Sequence, residues 1–273
     1  MNKLLVIPSD LEWVKKNNDY DGVILGIKDL SINLPFYVDI NEIEEIINYL
    51  NKSGKEIFIS LNKNMHNNDI EFLKDTLLKL DKLNIKGILY YDACIVSLKN
   101  KLNLKTDLVW SQEHMTTNYY TANYWYDKKV NYIYLSSEIT LDEIKTIKEN
   151  TKMKIMVNGF GYVPMFTSKR NLVKNYIKTF NVNDESDINY IYKEDKMYPI
   201  KDTYLGTTVY TDKPINVIKP LKDLEVDYIV INSFNMENFN EILTLLKNNK
   251  DINLETSEYF LHKETVYKVK KND

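Results

Sequence analysis

Eight short runs of β-branched and apolar residues, most followed by an amphipathic stretch, constrain this chain more than any other feature. The runs are Leu4–Pro8, Gly22–Ile27, Glu56–Leu61, Gly87–Tyr91, Asp107–Ser111, Tyr132–Leu135, Met153–Val157 and Tyr228–Ile231. The clearest amphipathic stretch is Asn68–Leu83, where Ile70, Leu73, Leu77 and Leu80 recur at helical spacing. Asn41–Leu50, Thr140–Lys148, Ser168–Lys178 and Asn235–Leu246 repeat the pattern. Asn41, Asn68, Thr140 and Ser168 stand where caps are expected, and Thr140 with Glu143 has capping-box spacing. Strand–helix alternation implies a parallel sheet, and eight such units imply a closed α/β barrel of the (β/α)8 TIM type. The 273 residues suit one barrel, so residues 1–273 are read as a single domain.

The alternation breaks once. Asn181–Asp187 is polar, then Ile188–Lys193 and Met197–Tyr210 alternate like antiparallel strands about a tight Lys193–Lys196 turn. Residues 181–226 are therefore read as an inserted β-hairpin segment before the last barrel strand. The tail Tyr259–Lys271 alternates too, and is expected to pair with the insertion.

Charge and cysteine content remove several functions. Thirty-six basic and 39 acidic residues give a net charge of −3, which disfavours a strongly basic nucleic-acid binder but allows a local basic patch. One cysteine, Cys94, excludes an intrachain disulfide or a four-cysteine metal site. The apolar run at the N-terminus breaks at Pro8, and no run of about 18 apolar residues exists. A cytoplasmic protein with no membrane partner is expected. No cofactor or metal motif is present, and none is expected to bind.

In such barrels the chemistry sits at the C-terminal strand ends. Those ends carry Asp92 and Glu138, two carboxylates suited to acid–base work if their surroundings separate their pKa values. Each could equally cap a helix or pair with a lysine. Ser111–Asn118 (SQEHMTTN) is the densest polar cluster, with His114 a general-base candidate and Gln112 and Asn118 substrate-binding candidates. The alternatives are a loop histidine at 114 and a helix cap at Asn118. Cys94 reads as a packed thiol.

Asn158–Tyr176 (NGFGYVPMFTSKRNLVKNY) is the most unusual segment. Gly159 and Gly161 permit positive φ or close backbone approach just past a strand. Lys169, Arg170 and Lys174 put positive charge in the first turns of a helix, against its dipole. An anion site built from Ser168, Arg170 and that helix start, with Asn158 nearby, is one reading; a solvated basic face is the other. Long side chains from adjacent strand ends, about 4.8 Å apart, would bring Arg170 to Glu138.

This segment resembles the U32 peptidase family. Gly161, Ser168, Arg170 and Leu172 match the family pattern, whereas Pro164 and Asn171 stand where it has cysteines and Lys169 where it has glycine. WSQEHMTTN resembles its Ser-x-Gln and Thr-Asn strand end. LSSEITLDEI resembles its Ser-Arg-Glu-Leu segment, with Ser137 at the arginine. MYPIKDTYLGTT resembles its Tyr-Pro and Gly-Thr hairpin, and ETVYKVK its C-terminal strand in short members. The resemblance implies a barrel and, by name, peptidase activity. It also implies kinship with RNA-modifying hydroxylases that hold an iron–sulfur cluster on four cysteines, which one cysteine cannot supply.

Three functions follow: a peptidase-like enzyme acting at the barrel mouth on a peptide, a non-catalytic RNA-binding or partner protein, and a barrel enzyme for a small anionic substrate. For the second, Lys169, Arg170, Lys174, Lys178, Lys268, Lys270 and Lys271 could meet phosphate while Tyr162, Tyr176 and Tyr190 stack on bases.

Overall fold

Eight parallel strands close on themselves in a computed structural model that describes residues 2–184 and 186–263. They are β1 (Lys3–Ile7), β2 (Gly22–Ile27), β4 (Glu56–Leu61), β5 (Gly87–Tyr90), β6 (Leu108–Trp110), β7 (Tyr132–Tyr134), β8 (Lys154–Gly161) and β14 (Tyr228–Asn232). A two-residue β3 (Tyr37–Val38) extends β2 on its outer edge. Closure comes from β1, which pairs with β2 and also with β14 in the register Lys3–Tyr228 to Ile7–Asn232. Helices α1 (Leu11–Lys16), α2 (Ile43–Lys52), α3 (Ile70–Leu80), α4 (Cys94–Leu102), α5 (Tyr119–Asp127) and α6 (Leu141–Asn150) return the chain between strands. This is the (β/α)8 barrel that the alternation implies.

The strands are apolar on both faces because each face meets a different core. Inside the barrel, Leu5, Ile24, Phe58, Leu89, Val109, Tyr132, Met156, Tyr228 and Val230 pack together. Phe58 meets Tyr228 and Tyr132 edge-on at centroid distances of 5.4 and 5.8 Å. Outside, the opposite strand faces pack on helix stripes such as Leu73, Leu77 and Leu80. Thr140 caps α6 as its spacing implies: Thr140 N–H donates to Glu143 Oε2 at 2.7 Å, and Glu143 N–H donates to Thr140 Oγ1 at 3.3 Å. Asn68 does not cap α3, because a short 3-10 turn at Asn67–Asp69 precedes that helix.

Between β8 and β14 the chain leaves the barrel. It forms β9 (Pro164–Ser168), α7 (Leu172–Phe180), β10 (Asn189–Lys193), β11 (Lys196–Thr203) and β12 (Gly206–Tyr210). It then re-enters through β13 (Ile215–Asn216) and α8 (Ile218–Asp223), while α9 (Phe239–Lys247) follows β14. The excursion is a four-stranded antiparallel sheet in the order β10-β11-β12-β9, so it holds more than one hairpin and begins at Pro164. The run Met197–Tyr210 is split in two at Gly206. Its φ of +133° and a backbone oxygen 1.9 Å from any added Cβ leave room for glycine alone.

Ser168 ends β9 instead of capping α7, and its Oγ accepts from Arg170 N–H at 3.2 Å. Thr208 Oγ1 and Asn33 Oδ1 lie 2.6 Å apart, and Asp29 N–H donates to Tyr204 Oη at 2.8 Å, so the sheet stands over the loop after β2. The ETVYKVK tail, with Lys268, Lys270 and Lys271, lies outside the described residues. Among the described residues no helix is long and apolar enough to cross a membrane.

Candidate functional site

The C-terminal strand ends surround a pocket enclosing about 750 Å³ of empty space, its open mouth included. Its apolar lining includes Ile7, Ile24, Leu34 and Leu89, which continue the barrel interior upward. Its polar wall comes from Asn62, Tyr91, Glu113, Tyr134, Asn158 and Asn232, all at or just past strand ends except Asn158, which lies within β8. Local hydrogen bonds hold these groups in place. Asn62 Oδ1 accepts from Ile32 N–H at 2.9 Å and its Nδ2 donates to Ile32 O at 3.0 Å, fastening the loop after β2. The Tyr134 hydroxyl donates to Asn158 Oδ1, and Asn158 Nδ2 donates to Ser137 Oγ at 2.7 Å. Gly161 closes one side: its φ is +117° and an added Cβ would lie 2.6 Å from Asn232 O.

Among the described residues no lysine or arginine lines this pocket. Burial pushes the Glu113 carboxyl above the ordinary carboxylate range; a hydrogen bond to Tyr91 and the nearby His114 oppose the rise, and Glu138 adds to it. Burial also raises the phenols of Tyr91 and Tyr134, with Glu113 as the next cause for each. His114 Nδ1 lies 3.7 Å from Glu138 Oε2 at the rim, where both side chains are largely exposed. The arrangement is therefore a protonatable acid among phenols and amides, with a histidine–carboxylate pair at its edge. It can present several hydrogen-bond donors and acceptors to an uncharged planar group.

The structure gathers Glu138, His114 and Asn158 at this mouth and puts Gln112 on the adjoining outer cleft. The other expected residues serve elsewhere. Asp92 accepts from Met65 N–H at 3.1 Å and Cys94 N–H at 2.9 Å, joining two loops. Asn118 caps α5, its side chain accepting from Thr121 N–H at 2.9 Å. Ser168 and Arg170 line neither cleft, although their neighbours Thr167 and Lys169 on the same segment line the outer one. Arg170 and Glu138 therefore do not meet.

The start of α7 already has an anion. Lys174 N–H donates to Asp202 Oδ2 at 3.0 Å, and Leu172 N–H donates to Thr207 Oγ1 at 2.7 Å. Asp202 fills the position assigned to an external anion.

Tyr91, Tyr134 and Glu113 were not singled out in the sequence, although a signal existed. Period-two alternation past the β5 and β6 ends turns Tyr91 and Glu113 toward the mouth, while Tyr90 packs in the outer core. The role of Asp92 gives a first expected outcome. Asp92→Ala should lower unfolding stability by about 1–3 kcal/mol through two orphaned N–H groups and leave ligand affinity at the mouth unchanged. Urea unfolding beside a binding titration checks both; a lost affinity at intact stability would return Asp92 to the site.

The donor set does not suit an iron–sulfur cluster. Among the described residues no three His, Cys, Asp or Glu side chains gather as a metal site. Cys94 is a half-buried thiol pushed up to about 12, first by burial and then by Asp92, which disfavours the thiolate a metal needs. Pro164 and Asn171, which stand where the family pattern has cysteines, carry no thiol.

Residues 14–234 match the sequence profile of Peptidase family U32. The tRNA hydroxylation protein P2 of Bacillus subtilis is 27% identical over 191 residues, covering 67% of this chain and 62% of that protein. An uncharacterized protease of Methanocaldococcus jannaschii is 29% identical over 168 residues, covering 60% of this chain and 40% of that protein. The match thus spans less than two thirds of either curated relative. A solved U32 peptidase structure superposes with a TM-score of 0.56 at 12% identity, covering 85% of this chain and 93% of that one, and shares the fold.

Proposed function

The chain belongs to peptidase family U32, and from that premise we propose that its barrel mouth binds single-stranded RNA by taking one base into the pocket. The observation that carries this reading is the pocket wall: phenols, amides and a carboxyl with raised pKa, without a lysine or arginine among the described residues. A flipped base is neutral, planar and rich in donors and acceptors, and is read by hydrogen bonds and aromatic packing. A small anionic substrate would find no lysine or arginine there among the described residues. The similarity to a tRNA hydroxylation protein supports the same class of ligand. The chain's own contribution is binding and orientation, since its residues do not fit the cluster of the cysteine-bearing members.

The test is fluorescence anisotropy with a labelled oligoribonucleotide of mixed sequence. Binding should weaken with salt, and Tyr134→Ala should reduce affinity about 5- to 150-fold, the roughly 1–3 kcal/mol of one stacked base. An oligoribonucleotide that fails to bind at low salt overturns the proposal.

One feature favours peptide hydrolysis instead. The His114–Glu138 pair beside Glu113 offers a base and an acid next to a pocket that a peptide amide could also enter. Turnover of a fluorogenic peptide library, lost in Glu113→Gln, would establish that reading.

A further inference from the structure

A second cleft opens beside the mouth, between the barrel loops and the antiparallel sheet. It encloses about 1200 Å³, open space included, and meets the inner pocket at Tyr91, Glu113 and His114. Its charge is the reverse of the pocket's. The ammonium groups of Lys63 and Lys169 line it, beside the imidazoles of His66 and His114, against one carboxylate, Glu113, whose burial favours the protonated form. This is a local cationic concentration in a chain of net charge −3.

At the lip, two separate parts of the fold bring donors to one point. His66 precedes the 3-10 turn after β4, and Lys169 follows β9 of the sheet. The Lys169 ammonium contacts His66 Nε2 across the cleft. Lys63 stands behind them, bound to Asp69 Oδ1 at 2.9 Å, and Asp69 Oδ2 accepts from His66 N–H at 2.8 Å. Asp69 is thereby occupied by Lys63 and the His66 backbone. No carboxylate pairs with Lys169 among the described residues. An ammonium only donates, so the imidazole can satisfy one of its three protons and leaves the positive charge uncompensated.

We propose that Lys169 and His66, backed by Lys63, form a phosphate-binding subsite at the lip of the outer cleft. A phosphate oxygen that displaces the Lys169–His66 contact accepts from Nζ and, with the ring proton on Nε2, from the imidazole, and it supplies the missing negative charge. The ligand is the phosphodiester flanking a base held in the inner pocket, so the subsite rests on the RNA reading given above. The cleft's continuity with the mouth, through residues shared by both, fits one ligand with a neutral and an anionic part. Phosphate bound here would also bridge the barrel loop and the sheet, fixing the cleft's width.

The experiment pairs two probes on the full chain. Inorganic pyrophosphate is titrated while the His66 ring resonances are followed by NMR, with His66→Gln used to assign them. A labelled oligoribonucleotide is titrated by anisotropy at several salt concentrations. The subsite predicts that pyrophosphate shifts the His66 ring in the parent and not in Lys169→Gln. It also predicts that Lys169→Gln lowers the slope of log affinity against log salt by about 0.7, the loss of one single-strand phosphate contact. Lys169→Arg should restore the slope. All these positions are exposed, and circular dichroism confirms that each variant is folded. Should pyrophosphate leave His66 unmoved and the slope stay unchanged in Lys169→Gln, the subsite is overturned while RNA binding stands. A shifted His66 ring with no RNA binding keeps the subsite, for a small phosphorylated ligand, and removes the RNA reading.

Discussion

Phe58→Ala should destabilise the protein by about 3–5 kcal/mol, as large aromatic truncations in closed cores do. Phe58 is fully buried inside the barrel and wedged edge-on against Tyr132 and Tyr228. Closed strands surround it, so the interior cannot collapse inward to fill the void. At roughly 2–4 °C per kcal/mol for a domain of about 200 residues, the melting temperature should drop by about 10 °C or more. Urea unfolding should show a lower midpoint with an unchanged slope, because the surface exposed on unfolding is the same. Phe58→Leu, which refills most of the volume, should recover the larger part. A loss below 1 kcal/mol would mean that the barrel interior is looser than its packing indicates.

Glu113 should show a functional effect as large as that of Tyr134, with a pH signature of its own. Its folded pKa is raised, chiefly by burial, so between the unfolded value of about 4.3 and the folded value the native state holds more proton than the unfolded state. Stability contributed by this group is present below the unfolded pKa and is lost as pH rises through the folded pKa. Glu113→Gln keeps the shape and cannot ionise. Its melting temperature should match the parent's near pH 4, exceed it at neutral pH, and the gap should grow between. Thermal scans from pH 4 to 8 read this directly; a gap that shrinks with rising pH would reverse the assignment. For binding, Glu113→Ala should lose about 5- to 150-fold in affinity, the roughly 1–3 kcal/mol of an unpaired buried hydrogen-bonding partner. Glu113→Gln should retain most of it.

The barrel was legible because its signals are local. Each strand run declares itself within a few residues, and the α6 cap is written in Thr140 and Glu143. The site was legible only in part. Glu138, His114 and Asn158 could be placed at the mouth by counting strand ends. Asp92 occupies the same kind of position, yet its carboxylate is spent on Met65 and Cys94 N–H groups. Nothing in the sequence separates a carboxylate facing the mouth from one turned into a neighbouring loop. Tyr91 and Tyr134 were hidden among 21 tyrosines. The basic segment at Lys169–Lys174 misled for a different reason: the carboxylate that occupies its helix start, Asp202, lies about thirty residues away on another strand.

By itself the sequence determined the element order, the eightfold count and the exclusion of a four-cysteine centre, because hydrophobic period and residue inventory are properties of the chain. Tertiary structure alone decided which polar groups share the mouth. Barrel closure brings strand ends far apart in sequence within reach of one another, while the inserted sheet leaves Arg170 off both clefts and puts its neighbour Lys169 on the outer one. Convergence of that kind depends on register and on the path of the inserted sheet, both fixed by long-range pairing between residues such as Thr207 and Ser168. No local pattern encodes it.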